Sequence, residues 1–397
     1  MEQARTVVLS SRAASRDVWL ASQFEFEDVV ATVDDVRLLA PAARATTAAA
    51  HAVHGARNRL RRATGRPRRR PVAATTDATD AELFFAVFAA PHEIGMLPLV
   101  RPQLARSAVK VAFIVELWRP QVPAVADYLR QLRGFDHVFM FNRWAMDDVA
   151  ALSGAPVSYL ATAVDTDRFA PRHPSPPPRV IDVASYGRRL PGTHAALRRA
   201  AAERGLYYHY DTVRGAFAVT DHVEHRDALA ATLQRSRYAV VYRNNDEPER
   251  RARTGGEESL TNRYFEVLAA GATMLGSAAQ TPDFEACFDW PDAIVPIAAP
   301  DPGVADVVAE LDADAERVER ARRTAVAESL RRHDWAHRWQ DVLDAVGLAP
   351  RPQLGDRLAR LAERAAVVEG VPGERGTVTS GTPTTGLGPG GPEPAGA

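Results

Sequence analysis

Cysteine and lysine are nearly missing from this 397-residue chain: Cys287 is its one thiol, and Lys110 is its one lysine among 49 basic residues. A single thiol excludes a disulfide framework and a cysteine-built zinc site. Lys110 sits in Val-Lys-Val, not in Gly-Lys-Ser or Gly-Lys-Thr, so a Walker-type phosphate loop is excluded, and pyridoxal chemistry would have to rest on that one residue. Long apolar runs are absent too. No stretch of about 18 apolar residues exists to span a bilayer. The N-terminal MEQARTVVLSS does not read as a signal peptide, and the expected location is cytoplasmic. Neither charge sign dominates. The net charge is −1 and the pI about 6.9, a balance that argues for neither nucleic acid nor a membrane as a partner.

With 46% hydrophobic and 25% charged residues, the composition is that of a globular protein, and the length suits two domains. The boundary between them is PRHPSPPP at 171–178, where five of eight residues are proline and neither a helix nor a central strand can continue. The expected division is an N-terminal domain at 1–172, a linker at 173–178, a C-terminal domain at 179–348, an amphipathic helix at 349–370 and a disordered tail at 371–397. Thirteen of the 27 tail residues are Gly or Pro, which leaves little to bury. The amphipathic helix is carried by Leu354, Leu358, Leu361, Ala365 and Val368 at helical spacing.

Short apolar runs alternate with longer amphipathic stretches on both sides of the linker. Strands are expected near Thr6–Leu9, Val36–Leu39, Leu83–Phe88, Val109–Val115, His137–Phe141 and Val157–Leu160, then near Val180–Tyr186, Leu206–Tyr210, Tyr238–Tyr242, Ala272–Leu275 and Ala293–Ile297. Such alternation implies an α/β chain of two Rossmann-like domains, each with a parallel sheet covered on both faces, facing each other across a cleft.

One segment carries chemistry: RTGGEESLTNRYFEVLAAGATMLGS, from Arg253 to Ser277. Gly255 and Gly256 allow a loop to approach a ligand closely, Ser259 is placed to cap a helix running to Ala270, and Gly271 suits its end. On one continuous helix Glu258 and Glu266 would lie about 12 Å apart along the axis and about 80° apart around it. That is too far for a shared proton, but it fits two anchors gripping an extended ligand, with an anion at the helix N-terminus between them. A nucleoside diphosphate-sugar has this layout of ribose diol, diphosphate and sugar hydroxyls.

Glu-x7-Glu followed by Leu-Ala-Ala-Gly resembles the signature of retaining GT-B glycosyltransferases, of family 4 and spore-maturation type. Three further pieces resemble that family in order: VDTDRFAP at 164–171, SYGRRLPGTHAAL at 185–197, and HDWAHRWQDVL with Asp334 within it. The resemblance implies a glycosyltransferase that moves a sugar from a nucleotide-sugar to an unknown acceptor, with retention and without a metal or other cofactor. It implies that Glu266 binds the ribose, Glu258 the donor sugar, and Arg188 or Arg189, after Gly187, the diphosphate. Ser259, Leu260 and Thr261 would add backbone donors around the phosphates. The family's phosphate lysine, its N-terminal glycine-rich turn and its N-domain histidine have no counterpart here; Thr193 or His194, SSRAASRD at 10–17, and Glu116-Leu117-Trp118 stand in those places.

Other groups are weaker candidates. His92 and Glu93 follow an apolar strand, where such sheets bind ligands. DHVEH at 221–225 reads as a polar helix start rather than a metal cluster, and DTD at 165–167 and DAD at 312–314 match the Asp-x-Asp pattern of metal-dependent glycosyltransferases by chance. Eight arginines at 57–70 form a solvated stretch or a weak contact with an anionic membrane surface. Trp335 and Trp339 read as core anchors. Two alternatives stay open: a non-catalytic nucleotide-sugar-binding protein, and a metal-dependent Asp-x-Asp glycosyltransferase.

Overall fold

A computed structural model of the chain describes residues 4–41, 60, 78–173, 175–212 and 217–370. The expected tail at 371–397 and, residue 60 aside, the arginine-rich 57–70 lie outside the described residues.

The N-terminal lobe runs β1 (Thr6–Leu9), α1 (Ala21–Val33), β2 (Val36–Leu39), β3 (Ala81–Phe88), α2 (Arg101–Ala105), β4 (Ser107–Ile114), α3 (Val122–Leu129), β5 (His137–Met140), α4 (Met146–Ser153) and β6 (Val157–Tyr159). Its six strands pair in parallel in the order β2-β1-β3-β4-β5-β6. A short α5 (Thr166–Phe169) precedes the proline-rich linker. The C-terminal lobe follows with β7 (Ile181–Ser185), α6 (Pro191–Arg204), β8 (Tyr208–Tyr210), α7 (His222–Gln234), β9 (Ser236–Val241), α8 (Pro248–Thr254), α9 (Asn262–Ala269), β10 (Thr273–Gly276), α10 (Pro282–Cys287), β11 (Val295–Pro296), α11 (Val304–Asp312) and α12 (Ala315–Arg332). Its five strands are again parallel, in the order β11-β10-β9-β7-β8. The last helices are α13 (Trp335–Ala345) and α14 (Pro352–Glu369).

Central strands of both sheets are apolar on both sides because helices cover both faces. In β3, Leu83, Phe85 and Val87 enter one core while Phe84, Ala86 and Phe88 enter another. In β9 the same alternation sends Ala239 and Val241 one way and Tyr238 and Val240 the other. The α/β architecture of two facing parallel sheets is the one expected, and the strands lie within a few residues of their expected places.

Helices depart from expectation in three places. The sequence pattern over Val304–Leu330 reads as one long helix, but the stretch is two, because the Asp314 carboxylate accepts from the Arg317 backbone N–H (3.0 Å) and caps α12 afresh. PERRART, to which the sequence reading assigns no element, forms α8. The return to the N-terminal lobe begins at Asp334, before the expected amphipathic helix at 349–370. There α13 stacks Trp335 on Phe26 of α1 (ring centroids 4.5 Å apart) and sets Trp339 edge-on to Phe85 of β3. Both indoles are buried, and one apolar cluster therefore runs through both lobes.

Outgoing and returning chain meet at this point. Val164 and Asp334 form a parallel bridge, and the buried Asp334 carboxylate accepts from the Thr166 backbone N–H (2.9 Å), the Thr166 hydroxyl (2.7 Å) and Arg357 Nε of α14 (2.9 Å). Asp165 and Asp167 serve the same joint, Asp165 accepting from Arg357 and Asp167 from Arg360 and Arg364. Asp312 of the second Asp-x-Asp string takes the Tyr238 hydroxyl (2.6 Å). Both strings thus have structural partners within the fold.

Candidate functional site

In a parallel sheet the loops at the C-terminal ends of the strands form the ligand-binding edge. In this molecule those edges of the two lobes face each other. From the N-terminal lobe come Glu116 and Arg119 after β4 and Arg143 and Trp144 after β5; from the C-terminal lobe come the loops after β7, β9 and β10. Contacts across the boundary include Arg119 N to Glu257 (3.0 Å), Arg143 Nε to Asp283 (2.7 Å), Trp144 Nε1 to the Glu258 carbonyl (2.7 Å), Arg253 to Glu116 (2.6 Å) and Asn262 to Ser22 (2.7 Å).

Glu258 and Glu266 both lie at this boundary and are buried, with 7% and 4% exposure. They do not share a helix. Gly255 and Gly256, at φ +68° and +85°, end α8 in a left-handed turn that side-chain-bearing residues rarely adopt, and 257–261 then lie outside any helix or strand. Two contacts hold Glu258 in that loop: its carbonyl accepts from Trp144, and its carboxylate accepts from the Gln280 backbone N–H (2.6 Å). The helix opens at Asn262 with Thr261 as its N-cap, rather than at the expected Ser259, and the 12 Å helical spacing does not apply. Ser259 lies buried with its hydroxyl on the Leu260 carbonyl (3.3 Å), and Leu260 enters the core. Gly271, at φ +70°, follows the helix end as expected.

Glu266 is gripped from two sides. Tyr186 donates its hydroxyl (2.9 Å), and Arg226 of α7 donates through Nη1. Arg226 extends the chain of charge to Glu25 of α1 (Nε–O 2.7 Å), which also receives Arg168 (3.1 Å), Trp335 Nε1 (3.1 Å) and the Asp165 backbone N–H (2.8 Å). Burial alone would raise the Glu25 carboxyl, but Arg226, the Asp165 backbone N–H and Arg168 together outweigh it and hold the group below the usual carboxylate range.

The two arginines after β7 part company. Arg189 turns to Asp211 and lies 5.6 Å over the Tyr210 ring. Arg188 turns into the boundary, where its nearest carboxylate is Glu247 at 3.9 Å. Burial, then the neighbouring guanidiniums of Arg263 and Arg250, push Arg188 down to about 8. Gly187, at φ +70°, makes the left-handed turn that carries the chain from β7 to these arginines, with the Arg263 guanidinium beside it. A cavity of about 580 Å³ opens beside them, lined by Arg243, Asn245, Asp246, Pro248, Arg251, Ala252 and Ala299. Arg243 joins it to Glu258 at 3.5 Å.

Sequence reasoning missed Arg243, Arg250, Arg263, Arg226 and the N-terminal Glu25, Glu116 and Trp144. Arg263 alone left a signal, standing one helical turn before Glu266. Of the weaker candidates, Glu93 folds back to accept from the Ala89 backbone N–H (2.8 Å), and Asp221 caps α7 while His222 meets Asp28 of the other lobe (2.7 Å). Among the described residues no three His, Cys, Asp or Glu side chains gather as a metal-ligand set, and no helix is long and apolar enough to cross a membrane.

Comparison with known proteins bears on the same region. No curated protein sequence matches the chain. Among solved structures, HepE of Anabaena, crystallised with UDP and glucose, is 9% identical with a TM-score of 0.50, covering 87% of this chain and 99% of its own. An alpha-glucosyltransferase solved with UDP and a 13-mer DNA is also 9% identical, covers 87% of this chain and 100% of its own, and has a TM-score of 0.45. AviGT4, involved in avilamycin A biosynthesis, is 12% identical with a TM-score of 0.36, covering 92% and 95%. The fold is that of the GT-B glycosyltransferases, shared with HepE along nearly all of that protein, and residues 186–344 match the family described as glycosyl transferase-like.

Proposed function

We propose that this protein is a glycosyltransferase that binds a nucleotide-sugar along the C-terminal edge of β7 and β9 and transfers the sugar to an acceptor entering from the N-terminal lobe. One observation carries the reading: Arg188, Arg250 and Arg263 crowd at the end of β7 with a shortage of partner carboxylates, inside the stretch that matches the glycosyl transferase-like family. A departing diphosphate develops negative charge, and preorganised guanidiniums in a site that facing lobes keep dry would stabilise it without a metal. Glu258 would accept from sugar hydroxyls. Glu266 would accept from the ribose diol, since a carboxylate has about four acceptor positions and Tyr186 and Arg226 take two. Retention of anomeric configuration and independence from metal belong to this proposal through the GT-B resemblance.

A panel of nucleoside diphosphates and nucleotide-sugars, screened by thermal shift and followed by assays of donor hydrolysis with and without EDTA, tests it. The expected result is a shift with one base and hydrolysis that EDTA leaves unchanged. Arg188→Ala lowers affinity about tenfold or more, by loss of a charged hydrogen bond, while Arg189→Ala changes it little. A ligand-induced shift without hydrolysis would assign the chain to the non-catalytic binders, and no shift with any nucleotide would refute the reading.

A further inference from the structure

Four arginines meet at the boundary on the side of β4 and α8, and their ion pairs among the described residues run to two carboxylates. Glu247 lies 3.9 Å from both Arg188 and Arg250. Glu116, at the end of β4 in the other lobe, lies 2.6 Å from Arg253 and 3.9 Å from Arg250. Arg263 gives its Nη1 to the Tyr186 carbonyl (3.3 Å). Glu116 is also held by Trp118 Nε1 (3.2 Å), so its carboxylate is aimed across the boundary rather than left to wander.

We infer that Arg250 and Arg263 join Arg188 as one anion subsite, and that Glu116 of the facing lobe is its built-in counter-charge, which a diphosphate must displace. The inference rests on the proposed reading for the identity of that diphosphate. The physical argument is charge balance. Burial and the like charges of Arg263 and Arg250 disfavour the Arg188 cation, and Arg250 is disfavoured in the same way. Distances of 3.9 Å leave the pairs to Glu247 and Glu116 weak, whereas a diphosphate brings at least two charges and several acceptor oxygens into the same space. Because Glu116 belongs to the other lobe, its release would couple occupancy of the subsite to the contact between the lobes. The cluster would also take the place of the family's absent phosphate lysine.

The test uses inorganic pyrophosphate and isothermal titration of the full chain. Arg250→Ala and Arg263→Ala each weaken binding about tenfold, as expected for loss of a charged hydrogen bond. Glu116→Gln does the reverse and tightens binding roughly fivefold, the scale of a partly exposed ion pair. Asp148→Asn, which removes the same charge from the same lobe outside the cluster, leaves binding unchanged. Unaltered or weaker binding by Glu116→Gln, or equal tightening by Asp148→Asn, would overturn the displacement role, with circular dichroism confirming that each variant is folded. If pyrophosphate binding follows this pattern while no nucleotide-sugar binds or turns over, the subsite stands and the glycosyltransferase reading falls. If nucleotide-sugars turn over and Glu116→Gln is silent, the reading stands and this inference falls.

Discussion

Two clusters of charge sit at the boundary between the lobes, and they are built on opposite terms. Around Arg226 the account is balanced: Arg226 and Arg168 face Glu25 and Glu266, all buried or nearly so, with bonds of 2.7–3.2 Å from the arginines to Glu25, and Arg168 also reaches Asp227 at 2.8 Å. Around Arg188 it is not, since Arg188, Arg250 and Arg253 share Glu116 and Glu247 at distances reaching 3.9 Å while Arg263 bonds to the Tyr186 carbonyl. Removing a partner from a buried balanced set strands a charge, whereas thinning an unbalanced one relieves repulsion. The first cluster therefore joins the lobes, and the second is suited to receive something from outside.

The largest effect expected from this contrast comes from Arg226→Met. It would leave Glu25 and Glu266 buried without their shared cation and lower stability by about 3–5 kcal/mol, read from the urea unfolding midpoint. A loss below about 1 kcal/mol would break the contrast. Next is pH, acting at the joint between the lobes through His333. Burial first, then Arg338, holds this imidazole well below its usual 6.5, among the rings of Phe265, Phe288 and Trp290 with Nε2 at the Cys287 carbonyl (2.8 Å). The unfolded chain protonates first as pH falls, so below pH 6.5 this group should cost about 1.4 kcal/mol per unit until its own folded value is reached. The nontitrating His333→Phe should flatten that slope; a slope equal to wild type would exclude His333 as its source.

Arg188→Met tests the unbalanced side. It is expected to raise stability by about 1 kcal/mol while weakening pyrophosphate binding about tenfold or more, the opposite sign in stability to Arg226→Met. A lower melting temperature would place Arg188 with the joining charges. The smallest effect belongs to Arg320→Ala, whose pair with Glu316 lies on the exposed face of α12 with side chains 68% and 91% accessible. A change above about 0.5 kcal/mol there would mean that exposed pairs matter more in this fold than the comparison assumes.

Much of the scaffold was legible in the sequence because parallel strands covered on both faces are short apolar runs, and those of β3, β4 and β9 stand out between charged stretches. The site was legible only where chemistry is local. Glu258, Glu266 and Arg188 follow glycines or an apolar repeat that marks them. The conformation around Glu258 was not, because Trp144 and Gln280, far away in sequence, hold that segment out of the helix its pattern suggests. Arg250 and Arg226 left no trace either. In a chain with 49 basic residues, spacing cannot select the few arginines that several segments bring together. The division of labour between the two arginines after Gly187 was likewise invisible, since it depends on Asp211 beyond β8 claiming Arg189.

The parallel bridge between Val164 and Asp334 means that the outgoing passage towards the proline-rich segment and the return at Asp334 lie side by side. Two tethers at one place leave a single axis for relative rotation and forbid wholesale separation. Cutting the proline-rich segment would therefore not release two independent halves: the second tether, with Trp335 and Trp339 plugged into the opposite lobe, would keep them docked. A fragment ending before Asp334 would instead carry an open apolar socket where those indoles belong.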